Sequence, residues 1–251
     1  MKLALALAAG LVVTAAACQT APATRTTPAY LAAAIADPVR AEDAKVDARR
    51  HPALLVEFAG IKPGSKVLEL IPGGGYFTRI FSKVVGASGK VYAEMPSELA
   101  KVDRFKAVAD AYANVVMLRN PAVAPVTPEL VDVAFTSQNY HDYPTPYFGN
   151  ADPASVDQHV FAALKPGGVY IVIDHAAEVG SGLRDTDTLH RIDPAYVRKQ
   201  VEAAGFEFVG ESTVLRNPAD NHSLKVFDPA IRGHTDQFAY KFRKPNRPVT
   251  L

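Results

Sequence analysis

The 251 residues contain one cysteine, Cys18, so no disulfide can close within the chain. Neither sign of charge is in excess: 27 Lys and Arg stand against 26 Asp and Glu. That balance leaves no broad electrostatic footprint for nucleic acid or for an anionic membrane surface. No internal repeat is visible, no local metal-ligand spacing occurs, and the 19 prolines punctuate loops rather than forming a low-complexity block. The one long apolar run, Leu3 to Ala17, falls short of the roughly 20 residues a stable transmembrane helix needs. What is present is a near-neutral chain, 48% hydrophobic. It can bury the core of one α/β domain of roughly 200 residues plus extensions.

The first eighteen residues stand apart. Lys2 is a minimal positive segment, Leu3 to Ala17 has the length of a signal-peptide core, and Ala15-Ala16-Ala17 puts small residues ahead of Cys18. This arrangement resembles the lipobox of bacterial lipoproteins, which implies a lipid anchor on Cys18. Plain secretion after Ala-x-Ala and a misread start are the alternatives. Gln19 stands where an aspartate would favour inner-membrane retention. The expectation is a signal peptide over 1–18 and a Thr-, Ala- and Pro-rich tether over 19–29. The protein would then be exported to the bacterial envelope: periplasmic and lipid-anchored to the outer membrane.

Residues 30–64 read as a helical extension, with helices over Tyr30–Ala36, after Asp37-Pro38, and from His51-Pro52 to Gly60. Its polar residues Asp43, Asp47, Arg49 and Arg50 read either as a solvated face or as a lid over a ligand mouth. From 65 to 245 strands and helices alternate, leaving 246–251 as a tail. Strands are expected over Lys66–Ile71, Lys90–Glu94, Val115–Leu118, Val131–Ser137, Val169–Asp174, Phe206–Val214 and Gln237–Arg243. Helices are expected over Tyr76–Val85, from a Ser97 cap toward Tyr112, over Ala154–Leu164, and from Asp193-Pro194 to Gly205. Continuous apolar strands suit a parallel sheet covered on both faces. The last two strands have no crossover helix between them and should pair antiparallel.

Chemistry gathers where the first strand meets its helix, in Val67-Leu-Glu-Leu-Ile-Pro-Gly-Gly-Gly-Tyr-Phe-Thr78. Gly73 and Gly75 permit a sharp turn and a close approach to a nucleoside. Glu69 puts a carboxylate near the strand end. A dinucleotide fingerprint would want a third glycine where Thr78 stands. Glu94, ending the second strand, can accept two hydrogen bonds from a ribose diol or be a surface strand-end residue.

The glycine turn resembles motif I of the class I S-adenosylmethionine (SAM)-dependent methyltransferases, with Ile71 where that family usually has its first glycine. A closer resemblance, over about residues 30 to 245, is to bacterial exported methyltransferases. It rests on Pro72-Gly-Gly-Gly-Tyr-Phe-Thr78, Asn139-Tyr-His-Asp142, Asp174-His-Ala-Ala177 and the Thr235-Asp-Gln-Phe…Lys-Phe-Arg-Lys-Pro245 tail. It implies a Rossmann-like α/β fold: a seven-stranded, mostly parallel sheet with an antiparallel last strand and helices on both faces. It implies SAM as cofactor and a small-molecule methyl acceptor, with no nucleic acid and no metal required. Glu69, Gly73, Gly74, Gly75, Tyr76, Glu94, Asn120 and Asn139 would hold the cofactor, and His141, Tyr140 and His175 would serve catalysis.

Several assignments stay open on residues alone. Asn120 either keeps an adenine contact or makes an ordinary Asn-Pro turn. His141 is a base or a strut locked to Asp142. Tyr140, Tyr143, Tyr147 and Phe148 stack a planar substrate, lie against the sulfonium, or form a flap. His175 is a pocket wall, a proton acceptor or a structurally satisfied residue. Asp142, Asp174, His175 and His190 could converge on a divalent metal, but their spacing lacks a local motif, so no metal is assigned. An envelope protein that binds a ligand in this crevice without turnover is the alternative function. A nicotinamide-dependent oxidoreductase is a more distant one.

Overall fold

The computed structural model describes residues 26–246; the segment expected as a signal peptide, Cys18, and most of the expected tether and tail lie outside them. Four short helices come first: α1 (Ala29–Ile35), α2 (Ala41–Ala44), α3 (Asp47–Arg50) and α4 (Pro52–Ala59). The alternating body follows: β1 (Lys66–Leu70), α5 (Tyr76–Val85), β2 (Lys90–Glu94), α6 (Asp103–Asp110), β3 (Val115–Leu118), β4 (Val131–Ser137), α7 (Pro153–Ala163), β5 (Leu164–His175), α8 (Pro194–Ala203), β6 (Glu207–Ser212) and β7 (Gln237–Arg243). The strands form one seven-stranded sheet in the order β3-β2-β1-β4-β5-β7-β6. Strands β1 to β5 pair in parallel, and β7 runs antiparallel between β5 and β6. This is the Rossmann-like methyltransferase sheet that the resemblance implies.

Strand side chains alternate in direction, so each apolar strand feeds two cores. Val67, Val91, Val133 and Ile171 face α1, α4 and α5, where Leu31, Val56, Ile80, Phe81 and Val84 bury them. Leu68, Ala134, Tyr170 and Val172 face the other way, against Val156 and Val160 of α7 and Val197 and Val201 of α8. Chain order reverses between β1 and β4, which opens a crevice beyond their carboxyl ends.

Some boundaries differ from the sequence expectation. Helix α6 opens at Asp103, not after Ser97, because the Ser97 amide is donated to the Asn120 carbonyl and ties that segment along β3. Strand β5 begins before its glycines, since Leu164 pairs with Val131 of β4, the Gly167 amide donates to the Lys244 carbonyl, and Gly168 accepts from the Lys244 amide. Strand β6 stops at Ser212, with a register shift between Phe208 and Gly210. Ile71 leaves β1 because its φ is 50°, a left-handed conformation.

The polar residues of the extension are mostly engaged. Asp43 takes two hydrogen bonds from Arg79 of α5, at 2.6 and 2.8 Å. Asp47 accepts from Arg40 at 2.8 Å and from the Tyr76 hydroxyl at 2.5 Å. These charge-assisted contacts fasten α2 and α3 to the helix that opens at the glycine turn.

Candidate functional site

The crevice begins with an unusual backbone. Ile71 stands where the family uses glycine, yet it adopts the left-handed φ that a glycine takes without cost. A β-branched residue there is strained by about 1–3 kcal/mol. Its buried side chain in the α7/α8 core and the hydrogen bond its amide donates to the Glu94 carbonyl, at 2.9 Å, hold it in place. Gly73 has φ of 57°, and a Cβ built on it would meet no atom within 4 Å. The space beside it is a cradle. Gly75 (φ 80°) serves packing instead, because a Cβ there would lie 2.8 Å from Val108.

Glu69 lies under this turn, 3% exposed. Burial pushes its carboxyl up to about 7, against the pull of the Thr78 hydroxyl and of Arg50 and Arg79. Thr78 donates to it at 2.6 Å. Thus the residue that breaks the dinucleotide fingerprint is the one that holds the acid. The crevice, about 180 Å³, is lined by Glu69, Gly73, Gly74, Tyr76, Asn139 and Arg50 among others. The Arg50 guanidinium sits 4.3 Å over the Tyr76 ring and 5.0 Å over that of Phe77, and reaches Ser137 Oγ at 3.4 Å. A second hollow, also about 180 Å³, lies beyond it and shares Arg50 and Gln138 with the first.

At the ends of β2 and β3, Glu94 and Asn120 satisfy each other. The Asn120 amide and side chain donate to the Glu94 carboxylate at 2.9 and 2.5 Å. Glu94 is 2% exposed, and burial raises its carboxyl to about 7. Neither residue lines the crevice, which stops short of them.

The ends of β4 and β5 hold the histidines. His141 Nδ1 lies 2.8 Å from Asp174 Oδ1, its backbone amide donates to the other Asp174 oxygen at 2.8 Å, and Nε2 lies 3.3 Å from Asp142. Burial opposes a charge on this ring, but Asp174 and Asp142 outweigh it and raise His141 to about 10. Both ring nitrogens of His141 face carboxylates, so the ring ties this loop to Asp174 and Asp142. His175 is the reverse: burial, only partly offset by Asp174, lowers it to about 4. Its Nδ1 pairs with Thr235 Oγ1 at 2.7 Å, and its ring lines both the second hollow and a larger cavity. That cavity, about 530 Å³, is walled by Asn139, His141, Asp142, Tyr147, His190 and Phe227 among others. It meets the crevice at Gln138 and Asn139. Gln138 (φ 63°) and His190 (φ 54°) are both left-handed, so strain clusters at this junction.

Tyr140 requires a correction. It is fully buried in the α7/α8 core, and its hydroxyl donates to Asp157 at 2.7 Å. The first residue of a tight 3₁₀ turn after β4 points under the sheet while the next, His141, points over the cavity. Tyr143 and Phe148 are buried with Tyr140, so of the aromatic loop only Tyr147 faces the cavity.

The family model described as Protein-L-isoaspartate(D-aspartate) O-methyltransferase (PCMT) matches residues 23–174, more than half of the chain. The chain belongs to this family of SAM-dependent methyltransferases. It is similar to the ubiquinone/menaquinone biosynthesis C-methyltransferase UbiE of Cronobacter sakazakii, 27% identical over 178 residues, covering 68% of this chain and 67% of that one. To UbiE of Pseudomonas paraeruginosa it is 30% identical over 179 residues, covering 68% and 66%. The chain thus spans about two thirds of the length of these curated relatives. Among solved structures, a SAM-dependent methyltransferase from Aquifex aeolicus matches with a TM-score of 0.56 at 19% identity, covering 80% of this chain and 96% of that one. The N-methyltransferase NodS of Bradyrhizobium japonicum matches with a TM-score of 0.53 at 12% identity, covering 79% and 96%. These two likenesses show the fold. Membership in the family makes SAM-dependent methyl transfer the activity and implies SAM as the donor.

Three residues that line these cavities were not singled out as individual site candidates from the sequence. Arg50 was one of four charges on a polar helix, and nothing in its spacing separates it from Arg49. Gln138 carries no motif, though its place at the end of β4 was a signal. Phe227 lies in a loop without apolar period and reaches the cavity only through the tertiary fold.

Proposed function

We propose that this methyltransferase moves the methyl group of SAM to a small planar molecule held in the cavity beyond β4 and β5. The observation that carries the proposal is the shared wall. Gln138 and Asn139 line both the glycine-cradled crevice and the acceptor cavity, so a donor in one and an acceptor in the other meet there. A cavity of about 530 Å³ suits a small molecule rather than a protein surface. Exposed Tyr147 and Phe227 offer aromatic faces to it.

The residues present fit SAM. The open space at Gly73 accommodates a close ligand, Glu69 suits the methionine ammonium, and Arg50 suits its carboxylate. Glu94 and Asn120 would turn from each other to the ribose and adenine. The crevice alone is smaller than the roughly 300–1,000 Å³ of ordinary ligand pockets. Arg50 must therefore swing from the Tyr76 ring, joining the two hollows it separates. SAM supplies an electrophilic methyl on a cationic sulfur. The chain aligns the acceptor, which is proximity catalysis, and excludes water. His175, uncharged and with no described hydrogen bond on Nε2, accepts the acceptor's proton.

Envelope placement is part of the proposal and rests on the leader sequence. Intact-mass measurement of protein from membrane fractions should find lipid on Cys18; unmodified Cys18 with an intact leader would remove it. The activity reading is tested by calorimetric titration with SAM and a labelled-methyl assay on small-molecule extracts. Binding should be lost in Gly73→Val, whose side chain fills the cradle in a disfavoured conformation. Equal SAM affinity in that variant would place the donor elsewhere.

A further inference from the structure

The cavity carries a feature that methyl transfer does not use. His141 Nε2, an Asp142 carboxylate oxygen and His190 Nδ1 lie within 4.8 Å of one another. Two of the separations run from Asp142 Oδ1: 3.3 Å to His141 Nε2 and 3.6 Å to His190 Nδ1. Zinc-type bonds of about 2.0–2.2 Å in a tetrahedron put neighbouring donor atoms about 3.4 Å apart. The two separations from Asp142 bracket that value, and the three donor atoms stay within 4.8 Å of one another. From these donors and distances we propose that His141, Asp142 and His190 form a binding site for a first-row divalent transition metal, zinc first, with its open coordination position facing the cavity.

Three further observations point the same way. The ring of His141 is oriented through Nδ1 by the fully buried Asp174, the carboxylate–imidazole pairing that fixes a metal-binding tautomer. His190 is presented from a strained, left-handed backbone, so its position is held by the loop at a cost. Its ring packs against Phe227 at 4.9 Å and edge-on to His141 at 5.4 Å, which restricts both rings. Two imidazoles and one carboxylate suit zinc, iron, manganese or cobalt better than magnesium or calcium, which prefer all-oxygen shells. Three protein ligands leave room for one from solvent or acceptor. On binding, the metal takes the Nε2 lone pair and the proton carried there leaves to solvent.

The site is independent of the SAM reading and is tested without SAM. Metal-stripped, full-length protein is titrated with Co²⁺ alone, and the visible d–d absorption is followed. One equivalent should give saturable bands of a four- or five-coordinate ion, displaced by Zn²⁺. His190→Ala and Asp142→Asn should each weaken binding at least about 100-fold, and Asp174→Asn about 10- to 100-fold. Asp187→Asn, on the same cavity wall but outside the cluster, should titrate like the parent. Far-UV circular dichroism establishes that each variant is folded; one that is not is replaced by His190→Gln, which keeps size and polarity. Absence of saturable bands in the parent, or unchanged titration in both His190→Ala and Asp142→Asn, overturns the proposal and leaves an imidazolium strut between two carboxylates.

Discussion

Thr78→Val removes one hydroxyl while keeping shape. In the folded chain that hydroxyl donates to the buried Glu69 carboxylate at 2.6 Å, and Glu69 sits at about 7. A hydrogen bond to a charged group contributes about 1.5–3 kcal/mol, or about 1–2 pKa units. Without it Glu69 should titrate at about 8–9, and its ionised fraction at pH 7.5 falls from about three quarters to between about a quarter and a thirtieth. If ionised Glu69 receives the SAM ammonium, affinity at pH 7.5 drops about 3- to 25-fold and recovers as pH rises toward 9. In the parent, the same linkage makes affinity fall as pH drops below about 7. Calorimetric titration with SAM between pH 6 and 9, on both proteins, reads the two curves. Superimposable pH profiles would refute the role of Glu69 in binding the donor. A uniform loss without a shift in pH would mean that Thr78 matters only for packing.

Arg50→Ala should weaken SAM binding about 10- to 100-fold through loss of a charge-assisted pair, and Arg50→Lys should restore part of it; tighter binding in Arg50→Ala would make Arg50 only a plug. His175→Ala should lower kcat by about 10²–10⁴ with SAM affinity unchanged, read in single-turnover assays once an acceptor is found; unchanged turnover removes the base. Asp157, buried with Tyr140, is raised from 3.8 to about 8, so the folded chain keeps a proton that the unfolded chain has released. That contribution to stability is complete below about pH 4 and is lost as pH rises through about 8. Asp157→Asn should therefore flatten the fall in stability between those limits by up to about 1.4 kcal/mol per pH unit in urea titrations; an unchanged slope would put the proton elsewhere.

Much of the fold was legible because local rules and the global sheet agree. Five of the seven strands carry the expected bounds to within one residue, and a proline follows within three residues of the end of β1, β2, β3 and β7. The misses have physical causes. Strand β5 gained its start from Val131 of β4 and from Lys244 beyond β7, and α6 lost its first turn to the β3 edge. Tyr140 and His141 are neighbours in sequence, and only the 3₁₀ turn sends one into the core and the other to the cavity.

By itself the sequence determined the alternation of strands and helices, the glycine turn and its acid, and a carboxylate–histidine set at the ends of β4 and β5. Each of those follows from residues close in the chain, where propensity, turn geometry and side-chain period act. The tertiary structure alone decided which histidine lies between two carboxylates, that Arg50 divides the crevice, and that His190 joins His141 and Asp142. Burial and charge proximity depend on contacts between distant segments, and no local pattern encodes them.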